Sequence, residues 1–195
     1  MQVAVFGASA PRPGEPAYET AYRLGQALAR AGHVVLNGGY IGTMEAVSRG
    51  AAEAGGRVIG VTCAAIERWR PVGPNPWLSE VWPTQTLCER LQRLLTAADA
   101  AVVLPGSVGT WTEMLLWWNH VHIGALPPKP WLFYGPEWRA VWEAIFTHMA
   151  AYFGPQHRQA LHFVDDPRQV VEVLAAWRAA PAAAQPTRTQ EEQDP

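Results

Sequence analysis

Short apolar runs along the chain alternate with longer segments whose apolar residues recur every three or four positions. The runs Gln2 to Gly7, His33 to Leu36, Arg57 to Thr62, Ala100 to Leu104, Pro130 to Tyr134 and Leu161 to Val164 predict strands. Such continuous apolar runs suit strands buried on both faces. Between them, Tyr18 to Ala31 places Tyr22, Leu24, Ala27 and Leu28 on one side, and a helix follows through Met44, Ala46, Val47 and Ala51. Further helices are predicted over Thr84 to Ala98, Trp111 to Gly124, Pro136 to Ala151 and Pro167 to Ala179. Gly32 and the Gly55-Gly56 pair stand where helices end, and Pro167 where one begins. This alternation predicts an α/β fold: a Rossmann-like, doubly wound, mostly parallel sheet with helices on both faces. Residues 1–180 are read as one domain. Within it, Ala64 to Pro83, with Pro71, Pro74, Pro76 and Pro83, reads as an irregular excursion over the site. The Ala-, Pro-, Gln- and Glu-rich residues 181–195 predict disorder.

Three strands run into small, polar or glycine-rich turns: Phe6-Gly7-Ala8-Ser9, Asn37-Gly38-Gly39-Tyr40-Ile41-Gly42-Thr43, and Pro105-Gly106-Ser107-Val108-Gly109-Thr110. In an open parallel sheet these ends share one edge, where ligands bind at the topological switch point. In the last turn Thr110 reads as an N-cap opening a helix, with Glu113 on its first turn. Free N–H groups at a helix start attract phosphate or carboxylate. The turns therefore predict a phosphate-bearing ligand held by Gly7, Ser9, Gly38, Gly39, Gly42, Thr43 and the 106–110 turn. In the preceding helix, Leu87, Leu91 and Leu94 define a buried stripe. Arg90 flanks it, and Arg93 points toward water.

Composition removes several classes. A net charge of −2 without a basic stripe argues against nucleic acid. No apolar run approaches the roughly 20 residues of a membrane helix, and the opening strand leaves no signal peptide. Cys63 and Cys88 form neither a CxxC nor a disulfide framework, so a cytoplasmic protein is expected. GxGxxG after the first strand and GxxxxGK[ST] anywhere are missing, which disfavours dehydrogenases and P-loop NTPases. Gly106-Ser107-Val108-Gly109 fails the hydrolase elbow on spacing. His120 and His122 point to different sides of a helix, so no zinc pair is expected. Of ten tryptophans, Trp117 lies one turn after Glu113, where it could stack on a base, although core or interface packing is the commoner fate.

Leu87-Cys-Glu-Arg90-Leu-Gln-Arg-Leu-Leu followed by Pro105-Gly-Ser-Val-Gly-Thr-Trp-Thr-Glu113 resembles the LOG family of cytokinin riboside 5′-monophosphate phosphoribohydrolases, often labelled "possible lysine decarboxylase". Asn37 to Met44 resembles that family's first glycine-rich turn, and the likeness spans about residues 2 to 165. It implies a homodimer or higher homo-oligomer. It also implies hydrolysis of a nucleoside monophosphate to base and ribose 5-phosphate, without metal or organic cofactor. Arg90 and Glu113 would be the catalytic pair, and Gly106, Gly109 and Thr110 would hold the 5′-phosphate. Two positions depart from the pattern: Leu91 replaces a lysine, and Ser107 the second glycine of Pro-Gly-Gly. These departures favour the rival expectation of a non-catalytic carrier for a nucleotide or molybdopterin-type ligand; an oligomeric scaffold with an empty site is a third reading. A pyridoxal-phosphate decarboxylase would need a Schiff-base lysine, and Lys129, the single lysine, lies away from the strand-end edge.

Overall fold

Seven parallel strands in the order β4-β3-β2-β1-β5-β6-β7 form the frame of the computed structural model, which describes residues 1–180. The strands are β1 (Gln2–Phe6), β2 (Val34–Asn37), β3 (Val58–Cys63), β4 (Glu80–Thr84), β5 (Ala100–Val103), β6 (Trp131–Tyr134) and β7 (His162–Val164). The principal helices are α1 (Pro16–Arg30), α2 (Thr43–Glu53), α4 (Leu87–Ala97), α5 (Val108–His122), α6 (Pro136–His148) and α8 (Pro167–Ala179). Two short ones, α3 (Ala64–Trp69) and α7 (Pro155–Gln159), complete the set. The predicted Rossmann-like architecture is therefore the one observed.

Strand residues alternate between two apolar layers, as a period of two requires. Val3 and Val5 of β1 join Tyr18, Leu24 and Leu28 of α1, Val47 of α2 and Leu174 of α8. Ala4 and Phe6 join Leu94 of α4, Met114 and Trp117 of α5, and Trp138 and Trp142 of α6. The chain winds outward from β1 through β2 and β3 to β4, then returns to place β5 on the other flank of β1. The switch point thus falls between β1 and β5.

Several expectations need correction. The segment 64–83 is not wholly irregular, since it contains α3 and most of β4. Pro83 concealed the strand, but β4 is an edge strand and tolerates a residue that cannot donate to a ladder. Leu87 is 45% exposed, so it does not begin the buried stripe of α4; the buried set is Arg90, Leu91, Leu94 and Leu95. That helix starts on a capping box, Thr86 with Glu89. The helix after β5 begins at Val108 with Ser107 as its N-cap, three residues before the predicted cap Thr110. Glu113 accordingly sits on the second turn. Lys129 lies just before β6, at the sheet edge opposite the glycine-rich turns, and donates to the carbonyls of Leu95 (3.1 Å) and Ala98 (2.5 Å). It closes the C-terminus of α4, and burial lowers its pKa. The predicted disorder of residues 181–195 lies outside the described residues. Among the described residues, no helix is long and apolar enough to cross a membrane.

Candidate functional site

All three turns gather at the C-terminal ends of β1, β2 and β5, which are adjacent in the sheet. The first two are stitched together. Thr43 donates to the Ala8 carbonyl from both its backbone N–H and its hydroxyl, each at 2.9 Å. Gly42 passes so close that a Cβ there would stand 2.5 Å from that carbonyl and 2.6 Å from the Cα of Ser9. Its φ of +75° is itself a conformation that favours glycine. A Cβ on Gly7 would likewise meet the Thr43 hydroxyl at 2.5 Å.

The 38–43 turn is braced from below by a buried polar network. Asn37 accepts from the Gly39 N–H (2.7 Å) and donates to Ser48 (2.8 Å). Asn75 reaches back from the 64–83 segment: its backbone N–H donates to the Gly39 carbonyl (2.8 Å). Its side-chain amide donates to the carbonyls of Gly39 (3.1 Å) and Tyr40 (3.0 Å). The Tyr40 hydroxyl accepts from the Cys63 N–H (2.6 Å) and donates to Glu67 of α3 (3.0 Å). Burial pushes its pKa up to about 12. Sequence reasoning missed Tyr40 as a brace, and Asn75 altogether. Asn37, a polar residue closing an apolar strand, was the visible signal; nothing in the proline-rich segment distinguished Asn75.

Arg90 and Glu113 meet beneath these turns. Nη1 of Arg90 donates to Oε1 of Glu113 at 3.1 Å, and the residues are 6% and 8% exposed. Arg90 Nε donates to the Val61 carbonyl of β3 at 2.8 Å, fixing the plane of the guanidinium. The backbone of Gly38 lies against its other edge, where a Cβ would stand 1.9 Å from Nη2. Helix α4 thus supplies the cation, α5 the anion, β3 an anchor and the 38–43 turn a wall. Burial raises the pKa of Glu113, opposed by the charge of Arg90 and its hydrogen bond. Because Glu113 lies on the second turn of α5, its ionised form depends on that arginine more than on the helix dipole.

Above the pair, Ser107, Val108 and Gly109 are exposed, and a Cβ on Gly109 would meet nothing within 4 Å. Thr110 is buried and packs its hydroxyl under Gly106, which is why it cannot serve as the cap. Ser107 has the extended backbone of an N-cap but its side chain makes no capping bond. The first N–H groups of any helix lack intrahelical acceptors, so the start of α5 is an accessible anion seat. Trp117 is fully buried, edge-on to Phe6, and so is unavailable to a base. Arg93 lies over the Trp82 ring at the surface.

The SLOG cluster4 family model matches residues 1–127. The chain belongs to the SLOG cluster4 family. Its relatives include the cytokinin riboside 5′-monophosphate phosphoribohydrolase of Mycobacterium marinum, 36% identical over 63% of this chain and 64% of that protein. The Mycobacterium tuberculosis protein of the same name is 34% identical over the same shares. The chain thus matches a little under two thirds of the length of these relatives. Among solved structures, the molybdenum cofactor binding protein of Rippkaea orientalis superposes with a TM-score of 0.70 at 20% identity. The match covers 91% of this chain and 97% of that one. At that identity the likeness concerns the fold.

Proposed function

We propose that the protein is a nucleoside 5′-monophosphate phosphoribohydrolase. The observation that carries this reading is the buried Arg90–Glu113 pair, 3.1 Å apart, beneath an exposed helix start. Gly106, Ser107, Val108, Gly109 and Thr110 would receive the 5′-phosphate through the amides that open α5. The turns carrying Gly7, Ser9, Gly38, Gly39, Gly42 and Thr43 would wall the ribose. Hydrolysis breaks the C1′–N bond, with the electron pair leaving on the base, while water adds to C1′ and surrenders a proton. Positive charge builds on the sugar as the bond breaks. A carboxylate held in a dry site by a fixed guanidinium stabilises that charge and orients the water. The charge and hydrogen bond of Arg90 favour the carboxylate form of Glu113 against the opposing effect of its burial. Relatives named as phosphoribohydrolases support the same reaction. A cytoplasmic homodimer accompanies this reading, with exposed Leu115 and Ile123 on and beside α5 as its apolar surface. Light scattering of the purified protein measures that assembly.

The test is direct. Purified protein is incubated with AMP, GMP, CMP and UMP, and free base and ribose 5-phosphate are separated by chromatography. Release of base from at least one is expected; none from folded protein overturns the reading.

One observation favours the carrier reading. Leu91, where the family pattern places a lysine, is 7% exposed and packs as a core residue of α4, so that position contributes no second cation. A carrier of a nucleotide or molybdopterin-type ligand would gain thermal stability from its ligand and form no product.

A further inference from the structure

Beyond the seat, α5 lines a second hollow. A cavity of about 310 Å³ opens between its C-terminal half and the segment that carries α7. Leu115, Trp118, Asn119 and His122 form one wall, and Phe153 and His157 the other. At 1.5 Å per residue, this lining begins about 10 Å along the helix from Val108, where the seat lies, and ends about 21 Å from it. Glu113 lies about 160° around the helix from Leu115. The cavity is therefore separate from both the seat and the central ion pair.

Its walls are aromatic faces. Trp118 and Phe153 stack with ring centres 5.9 Å apart and planes 21° from parallel. His157 stands edge-on to both, at 5.6 Å and 5.4 Å, and the His122 ring tilts against it at 5.2 Å. Trp131 and Trp142 back Trp118 from the core, so its orientation is set by packing. None of the six lining residues is an Asp, Glu, Lys or Arg, so the cavity offers a ligand no fixed charge. It does offer a directed polar atom. Nδ1 of His157 lies 3.3 Å from the Gly154 carbonyl. A carbonyl only accepts, so Nδ1 carries the proton and Nε2 of the neutral ring is an acceptor. Nε2 has no hydrogen bond among the described residues and is not buried.

Small-molecule sites occupy about 300–1,000 Å³ and combine apolar walls with a few placed polar groups. This cavity stands at the lower end of that range, which suits one or two fused rings rather than a nucleotide. Aromatic walls favour a flat, π-faced ligand, the lack of fixed charge a neutral one, and the open acceptor a ring N–H. We propose that the cavity between α5 and α7 binds a neutral, planar aromatic heterocycle of one or two rings, which donates its ring N–H to Nε2 of His157. This site does not depend on the phosphoribohydrolase reading. Leu115 also belongs to the apolar surface assigned above to the homodimer, so occupation by a second copy is the competing outcome.

Calorimetry at neutral pH with benzimidazole, a neutral bicyclic ring with one N–H, tests the proposal. Saturable binding of one benzimidazole per chain is expected, without competition from ribose 5-phosphate. Benzoate, equally flat but anionic, should bind more weakly. Leu115→Trp fills the cavity from an exposed position and should abolish binding. Asn119→Trp repeats the block from a second exposed position, and circular dichroism checks both folds. His157→Phe keeps a ring against Trp118 but removes Nε2, and should weaken binding about 2- to 13-fold, the net value of one hydrogen bond. No binding, displacement by ribose 5-phosphate, benzoate as tight as benzimidazole, or undiminished binding in both tryptophan variants overturns the site. Light scattering decides the competing case. A dimer that takes up no benzimidazole and dissociates in Leu115→Trp assigns the hollow to a second copy and overturns the proposal. Failure to release base from nucleotides bears on the hydrolase alone.

Discussion

The two longest glycine-rich turns have nearly the same sequence pattern, Gly-Gly-x-x-Gly-Thr after β2 and Pro-Gly-x-x-Gly-Thr after β5, yet their surroundings are opposite. In the first, every residue from Gly38 to Thr43 except Ile41 is buried, and its carbonyls are consumed by Asn75. In the second, Ser107, Val108 and Gly109 face outward, with open space beside Gly109. The glycines of the first admit protein, namely the Arg90 guanidinium and the Ala8-Ser9 backbone. Those of the second divide: Gly106 admits the Thr110 side chain, while Gly109 faces open space. A shared pattern of glycines reports that backbone comes close to a partner, but the partner is set by what the neighbouring segments supply.

The largest break in this arrangement is expected from Glu113→Gln, which keeps the shape of the side chain and removes its charge. Base release from the preferred monophosphate should fall by about 10²–10³-fold, the usual cost of one preorganised electrostatic group, with ribose 5-phosphate affinity largely kept. A variant that retains turnover would falsify the assignment of Glu113. The same substitution sharpens the pH behaviour. Burial raises the folded pKa of Glu113 above the ordinary 4.5, so between those two values the folded chain binds more protons than the unfolded one. Its contribution to stability therefore falls as pH rises through that window, and turnover, which needs the carboxylate, rises across it. The difference in urea stability between wild type and Glu113→Gln, measured from pH 4 upward, should follow that slope; a flat difference contradicts the assigned shift.

Next in size is the contrast between two glycines. Gly38→Ala places a Cβ where Nη2 of Arg90 lies, and the guanidinium cannot swing aside without loosening its bonds to Val61 and Glu113. Overpacking of this kind costs about 1–3 kcal/mol, and a misplacement near 1 Å in a catalytic group can cost about 10²-fold in rate. Gly109→Ala meets nothing in the free protein, so its stability should change by less than about 0.5 kcal/mol. Its effect belongs to ligand affinity. Equal losses of stability in the two variants would dissolve the distinction between wall and seat.

Much of this was legible in the sequence because the rules involved are local. Apolar runs marked β1, β2, β3, β5 and β6 to within a residue or two, whereas the strand order that puts the switch point between β1 and β5 came only with the structure. Arg90 and Glu113 were nominated by resemblance to a family pattern, while helical spacing placed Arg90 only at the flank of a leucine stripe. Their contact needed the crossover that brings α4 beside α5, which no local pattern encodes. Edge strand β4 was hidden because exposure on one side permits Pro83, removing the apolar signature on which strand recognition depends. Thr110 looked like a cap because threonine often is one; the bend at Pro105-Gly106 lets the helix start earlier and buries it instead.

Asn75→Ala probes the wall from outside the motif. It deletes the side-chain donors to the carbonyls of Gly39 and Tyr40 in a buried setting, leaving the backbone bond to Gly39 in place. Groups left unsatisfied in this way cost about 1–3 kcal/mol, read as a lower urea midpoint with an unchanged slope. Hydrogen exchange should quicken at the Gly39 amide, held by Asn37 in the same network, before it quickens in α5. Simultaneous quickening in α5 would mean that the two turns open as one unit, contrary to their separate bracing.

The smallest effect is expected at Ser107. As an N-cap in extended conformation it would ordinarily contribute a side-chain bond to its own helix, and Ser→Ala at such a position typically costs about 1 kcal/mol. Here the hydroxyl makes no such bond and the residue is exposed. Ser107→Ala should therefore shift stability by less than about 0.5 kcal/mol. If the hydroxyl is directed to the ligand rather than to the helix, the loss appears in the affinity for ribose 5-phosphate. Ser107→Gly separates the two parts of the side chain, since it removes the Cβ as well and restores the glycine of the family pattern. A gain in affinity from glycine with a loss from alanine would assign the Cβ to crowding and the hydroxyl to binding. Equal affinities in both variants and wild type would place Ser107 outside the seat, leaving Gly106 and the first amides of α5 to hold the phosphate alone.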